Sequence, residues 1–452
     1  RFTQQGLSVL GIEGGGGAGG VWYHNRYPGA RVDVESIVYC YYFSEELYRE
    51  WKWSERYASQ PELMRYLNHV ADRFDLRRRF VFNTWMTGAE WHPESARYRI
   101  TTSTGLTATC RFLVMTTGQL SAPRKPPFPG LDEFQGEWVQ TSRWPDRPVQ
   151  VQGRRIGVVG TGSSGVQTIT EVAKVAKHLY VFQRSPNYSA PAHNGPLNEA
   201  VWKDVCSRVP QERIESMLSP GGGGRMQVGT RPASDFTPEE QQAIVEEAWA
   251  RGGYNMAFAF SDQMQSESTN QLVAEFMRNK IRSIVNDPVL AEKLCPYDPP
   301  PGTRRQCVDP ADYEVYNQAI VTVADLRELG EIERITPTGL RLASGQHYEV
   351  DLLIFALGFH AFTGSLNRAN IRNAKGQQPT DRWMRGPRTL LGITTVGFPN
   401  LFFPTGPGSP SVLANMALEN EYHIDWIADC IAYLDRHGFT TVEPTEEGEA
   451  RW

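Results

Sequence analysis

The sequence has no close pair of cysteines. Its six, Cys40, Cys110, Cys206, Cys295, Cys307 and Cys430, are scattered, and no two have CxxC spacing. That excludes a zinc ribbon and a dithiol redox centre. In a chain of this size it also argues against a disulfide framework and for a reducing, cytoplasmic setting. The nine histidines form no group with metal-ligand spacing, so no metal site is expected. No uninterrupted apolar run reaches the ~20 residues that span a bilayer, and no block of basic charge marks an anionic membrane or a nucleic acid. A starting Met is lacking too: the first residue is Arg1. The amino terminus of the whole protein is therefore expected to lie upstream.

What is present fits a globular protein. Apolar residues make up 40% and aromatics 11%, and the formal net charge is −5 with both signs mixed. At 452 residues the chain exceeds one hydrophobic core, so two or three domains are expected.

Arg1 to Gln5 reads as a helix end, with Gly6 in the left-handed position after it. Leu7 to Ile12 reads as a strand ending in Glu13. Helix end, glycine, strand, acid is the second half of a βαβ dinucleotide unit, whose acid bonds ribose hydroxyls. The first strand and its GxGxxG turn are expected just before Arg1. Residues 61–76 carry Leu63, Tyr66, Leu67, Val70 and Phe74 at helical spacing behind Pro61. Arg97 to Val114 alternates like strands and leads to Thr116-Thr117-Gly118, then to a Pro-rich connector, Ala122 to Gly130. Residues 190–300 are mostly helical in pattern, with Thr237-Pro238-Glu239-Glu240 as a helix start. Ser219 to Gly224 reads as a mobile loop. Asp351 to Phe359 reads as a buried strand entering a glycine turn.

A second dinucleotide unit is complete. Ile156 to Val159 is its strand, Gly160-Thr161-Gly162-Ser163-Ser164-Gly165 its turn, Val166 to Ala176 its helix and His178 to Phe182 the next strand. Such glycines let the backbone approach a pyrophosphate at the helix amino terminus. An ordinary glycine turn is the bland alternative, and the flanking strand and helix argue against it. An NAD site wants an acid after the next strand. Here Phe182-Gln183-Arg184-Ser185 offers a guanidinium, which suits the 2′-phosphate of NADP, where a solvated surface arginine is the alternative.

Gly19-Gly20-Val21-Trp22-Tyr23, followed by Arg26-Tyr27-Pro28-Gly29-Ala30-Arg31 and Asp33, lies where a loop would pass along a flavin. From the residues alone, a flavin loop and an aromatic turn packed in a core are equally open. The segment Phe134 to Asp146, FQGEWVQTSRWPD, resembles FxGxxxHxxxWP, the signature of type I Baeyer–Villiger monooxygenases. GGVWYHNRYPGAR, the segment from Glu35 through Tyr39 to Ser44, and GPGSPSVLANM at 406–416 resemble the same family. The likeness covers nearly the whole chain and is strongest to the phenylacetone and steroid enzymes. Two departures stand out. Gln140 replaces the signature histidine, which the family links to communication between domains, and His24 replaces a second Trp. The family chain also extends beyond both ends of this one.

The resemblance implies an α/β fold with two Rossmann-like domains, for FAD and NADP, and a helical insertion. It places the FAD part at 1–147 and 363–452, the NADP part at 148–190 and 303–362, and the insertion at 191–302. It implies an NADPH-consuming monooxygenase that turns a ketone and O2 into an ester or lactone through a flavin peroxide. The expected state is a monomer or weak homo-oligomer. Arg305 matches the active-site arginine and Asp33 its partner acid. Taken alone, Arg304 and Arg305 are a solvated pair; in the family Arg304 meets the NADP phosphate. The cofactor contacts implied are Glu13, Gly19, Gly20, Val21, Trp22, Arg31, Asp33, Tyr39 and Gln60 for the flavin side. For the nucleotide side they are Gly160 to Gln167 (Gly160, Thr161, Gly162, Ser163, Ser164, Gly165, Val166, Gln167), Arg184, Ser185 and Arg304. An enzyme oxidising nitrogen or sulfur, and a non-catalytic NADP-binding remnant, are the competing readings.

Overall fold

The computed structural model describes residues 1–219, 225–309, 312–409 and 414–452. All but Ser219 of the loop read at 219–224 lies outside these residues, as do positions 410–413 of the GPGSPSVLANM segment.

The second dinucleotide unit is the centre of a five-stranded parallel sheet. Its order is Val321–Asp325, His178–Gln183, Arg155–Val159, Leu352–Phe355 and Glu137–Gln140. Leu352 to Phe355 is buried at every position, as a parallel strand covered on both faces must be. Alternation then sorts its side chains. Leu352 and Ile354 join Ile156, Val158 and Ile169 on one face. Leu353 and Phe355 join Phe182, Ile335 and Leu340 on the other. The first face is covered by helices Ser163–Val172 and Glu267–Ile284, the second by a three-stranded antiparallel meander spanning 332–349. Helix Ser163–Val172 starts three residues earlier than the sequence indicates, because Gly162 is already its N-cap.

The first dinucleotide unit forms two separate parallel pairs, Gly11–Ile12 with Phe80–Val81 and Leu113–Val114 with Leu401–Phe402. Arg1 to Leu7 closes as expected, with Leu7 N–H on Phe2 O, Gly6 N–H on Thr3 O, and Gly6 at φ 80°. The strand read at Leu7 to Ile12 is shorter, only Gly11–Ile12. Its partner is equally short, because the chain turns off at Asn83, φ 52°. A four-stranded sheet pairs Arg97–Thr102 with Met86–His92 and Thr107–Cys110, and Ile371–Arg372 adds at its edge.

Helix Gln60–Arg73 buries Leu63, Tyr66 and Val70 as its spacing demands. Among the described residues, five α-helices fill the insertion: Glu199–Ser207, Val209–Leu218, Pro238–Arg251, Glu267–Ile284 and Pro288–Leu294. Thr237 and Glu240 cap the third in a reciprocal capping box. The long helix Met416–His437 and the short helix Glu446–Arg451 follow in the carboxyl-terminal part. Among the described residues no helix is long and apolar enough to cross a membrane.

Candidate active site

The strand Arg155–Val159 ends at Gly160, φ 109°, where a Cβ would lie 2.5 Å from the Ala356 carbonyl oxygen. A Cβ on Gly165 would lie 2.2 Å from the Gly160 carbonyl oxygen, so the helix packs straight onto its own turn. Gly162 differs: a Cβ there meets nothing within 4 Å. No side chain caps the helix amino terminus at Gly162. An open, glycine-lined helix start fits a pyrophosphate. The Thr161 hydroxyl donates to the Ser185 carbonyl at 3.1 Å, tying the turn to the end of the neighbouring strand. Ser163 Oγ lies 3.8 Å from the sulfur of Cys307, whose thiol burial pushes up to about 12. The Ser164 carbonyl accepts from the Thr168 hydroxyl, and Val166 N–H bonds the Gly162 carbonyl.

Arg184, just past that strand, is exposed, and so is Arg304. Arg304 borders a small cavity with Pro186, Asn187, Pro299 and Gln306, so the segment after Arg184 and the segment before Arg305 meet.

Asp33 and Arg305, 272 residues apart, form a two-point ion pair. Arg305 Nε donates to Asp33 Oδ2 at 2.6 Å and Nη2 to Oδ1 at 2.7 Å. Tyr254 donates its hydroxyl to Oδ2 at 2.8 Å, and its ring lies under the guanidinium, 5.3 Å from centroid to Cζ. Burial alone would raise the Asp33 carboxyl. The Arg305 charge and hydrogen bonds, with that of Tyr254, hold it below its ordinary value instead. Burial works against the Arg305 cation, but Asp33 outweighs it, so the guanidinium is held above its usual value.

The loop expected on the flavin side is tied to the same place through Tyr39. Gly19 and Gly20 have φ of 137° and 55°, leading into the short helix Val21–His24. Trp22 donates its indole N–H to the Tyr39 hydroxyl at 3.0 Å, and Gln60 donates its amide to the Trp22 carbonyl at 2.7 Å. Burial raises the Tyr39 phenol, which also feels the charges of Asp33 and Arg305. Glu13 accepts from Gly15 N–H at 2.6 Å, turning the chain back at the strand end. Arg31 pairs with Glu55 at 3.3 Å.

Gln167 lies apart from the nucleotide turn's open face. Its side chain is 3% exposed and committed to the 27–31 loop. Its oxygen accepts from Tyr27 OH at 2.9 Å and Arg31 N–H at 3.4 Å, and its nitrogen donates to the Arg31 carbonyl at 3.2 Å. The signature segment makes a second bridge. Gln140 donates to the Arg124 carbonyl at 2.8 Å, Trp144 N–H bonds the His24 carbonyl at 3.1 Å, and Arg26 pairs with Asp146. Burial, then Arg143 and Arg26, lower the pKa of His24. Sequence reasoning missed Tyr254. The one signal for it was the Gly252-Gly253 pair that ends the preceding helix.

Residues 38–215 match the pyridine nucleotide-disulphide oxidoreductase family. The chain is 39% identical over all its length to a Baeyer-Villiger monooxygenase of Pseudooceanicola batsensis, covering 82% of that protein. It superposes in full on an oxidized steroid monooxygenase bound to NADP, with a TM-score of 0.96, 47% identity and 86% of that chain covered. It does the same on OTEMO in complex with FAD and NADP, with a TM-score of 0.96, 39% identity and 85% covered.

Proposed function

The chain belongs to the Baeyer–Villiger monooxygenases, and from that premise we propose how its own residues divide the work. It is an FAD- and NADPH-dependent monooxygenase that inserts one atom of O2 beside a ketone carbonyl and releases the other as water. FAD, when bound, carries two electrons from NADPH to O2 and delivers the oxygen atom. For its binding we assign Glu13 to the ribose and the backbone of Gly19 to Trp22, with Arg31, Tyr39 and Gln60 behind it. For NADPH we assign the turn Gly160 to Val166 with Ser185 to the pyrophosphate side, and Arg184 and Arg304 to the 2′-phosphate. Gln167 acts by holding the 27–31 loop against the turn's helix.

Arg305 is the catalytic cation. As the carbonyl is attacked, negative charge grows on oxygen, and a planar guanidinium with fixed donors stabilises it without reorganising. Asp33 fixes the guanidinium's plane through two bonds. This half-buried pair, joining residues 272 apart in sequence, is the observation that carries the reading.

We assign 1–147 and 363–452 to the FAD part, 148–190 and 303–362 to the NADP part and 191–302 to the insertion. The strand Glu137–Gln140 lends an edge to the NADP sheet. A monomer or weak homo-oligomer in the cytoplasm, where six free thiols persist, is our reading of its setting. The test is purified, FAD-loaded enzyme given a ketone and NADPH. One ester per NADPH consumed is expected; NADPH oxidation without ester from any of a broad ketone panel would overturn it.

A further inference from the structure

Tyr254 is delivered to the Asp33–Arg305 pair by an elbow in the helical insertion. Helix Pro238–Arg251 ends at Gly252 and Gly253, whose φ values are 71° and 58°. Neither position has room for a side chain. A Cβ on Gly252 would lie 2.3 Å from the Pro191 carbonyl oxygen, and one on Gly253 would lie 2.3 Å from the Tyr57 hydroxyl. The elbow is pinned on both sides. Arg56 donates to the Arg251 carbonyl at 3.1 Å, and Gln306, next in sequence to Arg305, donates to the Gly253 carbonyl at 2.9 Å. Tyr254 itself is 4% exposed.

The consequence is that one carboxylate oxygen, Asp33 Oδ2, receives both Arg305 Nε and the Tyr254 hydroxyl. A carboxylate held only by a guanidinium can swing about its Cβ–Cγ bond with it. A third donor from a rigid elbow fixes the carboxylate's plane, and hence the guanidinium's. The ring beneath the guanidinium adds a cation–π contact that favours the same orientation. We propose that Tyr254 is a positioning residue of the oxygenation step, its hydroxyl holding the Asp33 carboxylate in register with Arg305 so that the guanidinium stays aimed at the reacting oxygen. This rests on the assignment of Arg305 as the cation that stabilises charge on that oxygen.

Tyr254→Phe tests it, because the ring and its burial remain and only the hydroxyl goes. In FAD-loaded enzyme the rate of ester formation should fall about tenfold or more, the loss expected of a hydrogen bond to a charged group. The KM for NADPH should hold, and the electrons should appear as hydrogen peroxide. Tyr254→Leu, which removes the ring as well, should lose more. A second readout needs no turnover: the Asp33 carboxyl, followed by 13C NMR of labelled aspartate, should titrate at higher pH in Tyr254→Phe. The Tyr254 bond is one of those that hold it low. Wild-type ester yield in Tyr254→Phe with unchanged Asp33 titration would overturn the inference. Wild-type enzyme that makes no ester would instead overturn the parent reading, and the Asp33 titration would still decide whether Tyr254 holds the pair.

Discussion

Arg305 and Arg184 are both arginines proposed to serve the site, and their surroundings suit them to different work. Arg305 is held by two bonds to a half-buried carboxylate, so its orientation is set before substrate arrives. Arg305→Ala should abolish ester formation while NADPH is still consumed and hydrogen peroxide accumulates. Loss of one preorganised donor to an oxyanion costs about 3–4 kcal/mol, or roughly 10²–10³ in rate. Arg305→Lys should fail too, because an ammonium cannot make the two-point contact with Asp33. Product and peroxide measured in parallel decide this; ester at the wild-type rate in Arg305→Ala would remove it from the chemistry. Arg184 is exposed and can be removed without cost to the fold. Its expected contribution is one charge-assisted bond to the 2′-phosphate, about 1.5–3 kcal/mol. Arg184→Ala should therefore raise the KM for NADPH by about one to two powers of ten and leave that for NADH nearly unchanged. Equal shifts for both cofactors would sink that assignment.

Helix Met416–His437 shows what a single element contributes. Asn415 caps its amino terminus, and His423 accepts the Thr405 N–H at 2.8 Å, holding a buried turn in which Thr405 itself has φ 51°. Two residues earlier on the helix, Glu421 accepts from Tyr42 N–H at 2.6 Å and Phe43 N–H at 3.2 Å, while its other oxygen lies 3.5 Å from Arg213 Nε. Burial raises the Glu421 carboxyl from 4.5 to about 6, and the backbone donors and Arg213 offset only part of that. The folded chain thus holds this proton more tightly than the unfolded chain does. The stability it confers is complete below pH 4.5 and is lost as the pH rises through about 6. Glu421→Gln keeps the acceptor for Tyr42 and Phe43 and removes the titration. The unfolding free energy of wild type relative to the variant should fall by ~2 kcal/mol across that window, measured by denaturant titration at each pH. A difference that stays flat from acid to neutral would show that Glu421 does not set it.

Across the whole molecule, what was legible in sequence is what local backbone chemistry dictates. Gly160 to Gly165 could be read because the turn demands glycine where a Cβ would strike Ala356 or Gly160. Leu352 to Phe355 could be read because a strand covered on both faces must be apolar throughout. Contacts made by tertiary folding left no such trace. Tyr254 lies 221 residues from Asp33, and no spacing rule connects them. The edge strand Glu137–Gln140 sits inside the signature segment, which reads as a motif rather than a strand. Gln167 follows the glycine turn and so reads as a nucleotide contact, but its side chain points to the other half of the molecule. That inversion has a testable consequence. Gln167 lies on the helix that starts at the nucleotide turn, and the loop it grips runs through Arg31 into Asp33. Gly29 is forced into this contact, since a Cβ there would lie 2.4 Å from the Gln167 carbonyl oxygen. The amide is therefore a short mechanical link between the helix proposed to bind NADPH and the loop that carries Asp33. Gln167→Met keeps the length and removes the amide's bonds to the Tyr27 hydroxyl and to the Arg31 N–H and carbonyl. Each lost bond costs about 0.5–1.5 kcal/mol, so the melting temperature should drop. The ester yield per NADPH should drop with it, because the loop that carries Asp33 is no longer fixed to the helix that binds the reductant. Thermal melting and the ratio of ester to hydrogen peroxide are the two measurements. A Gln167→Met enzyme that melts and couples like wild type would show that this amide is not such a link.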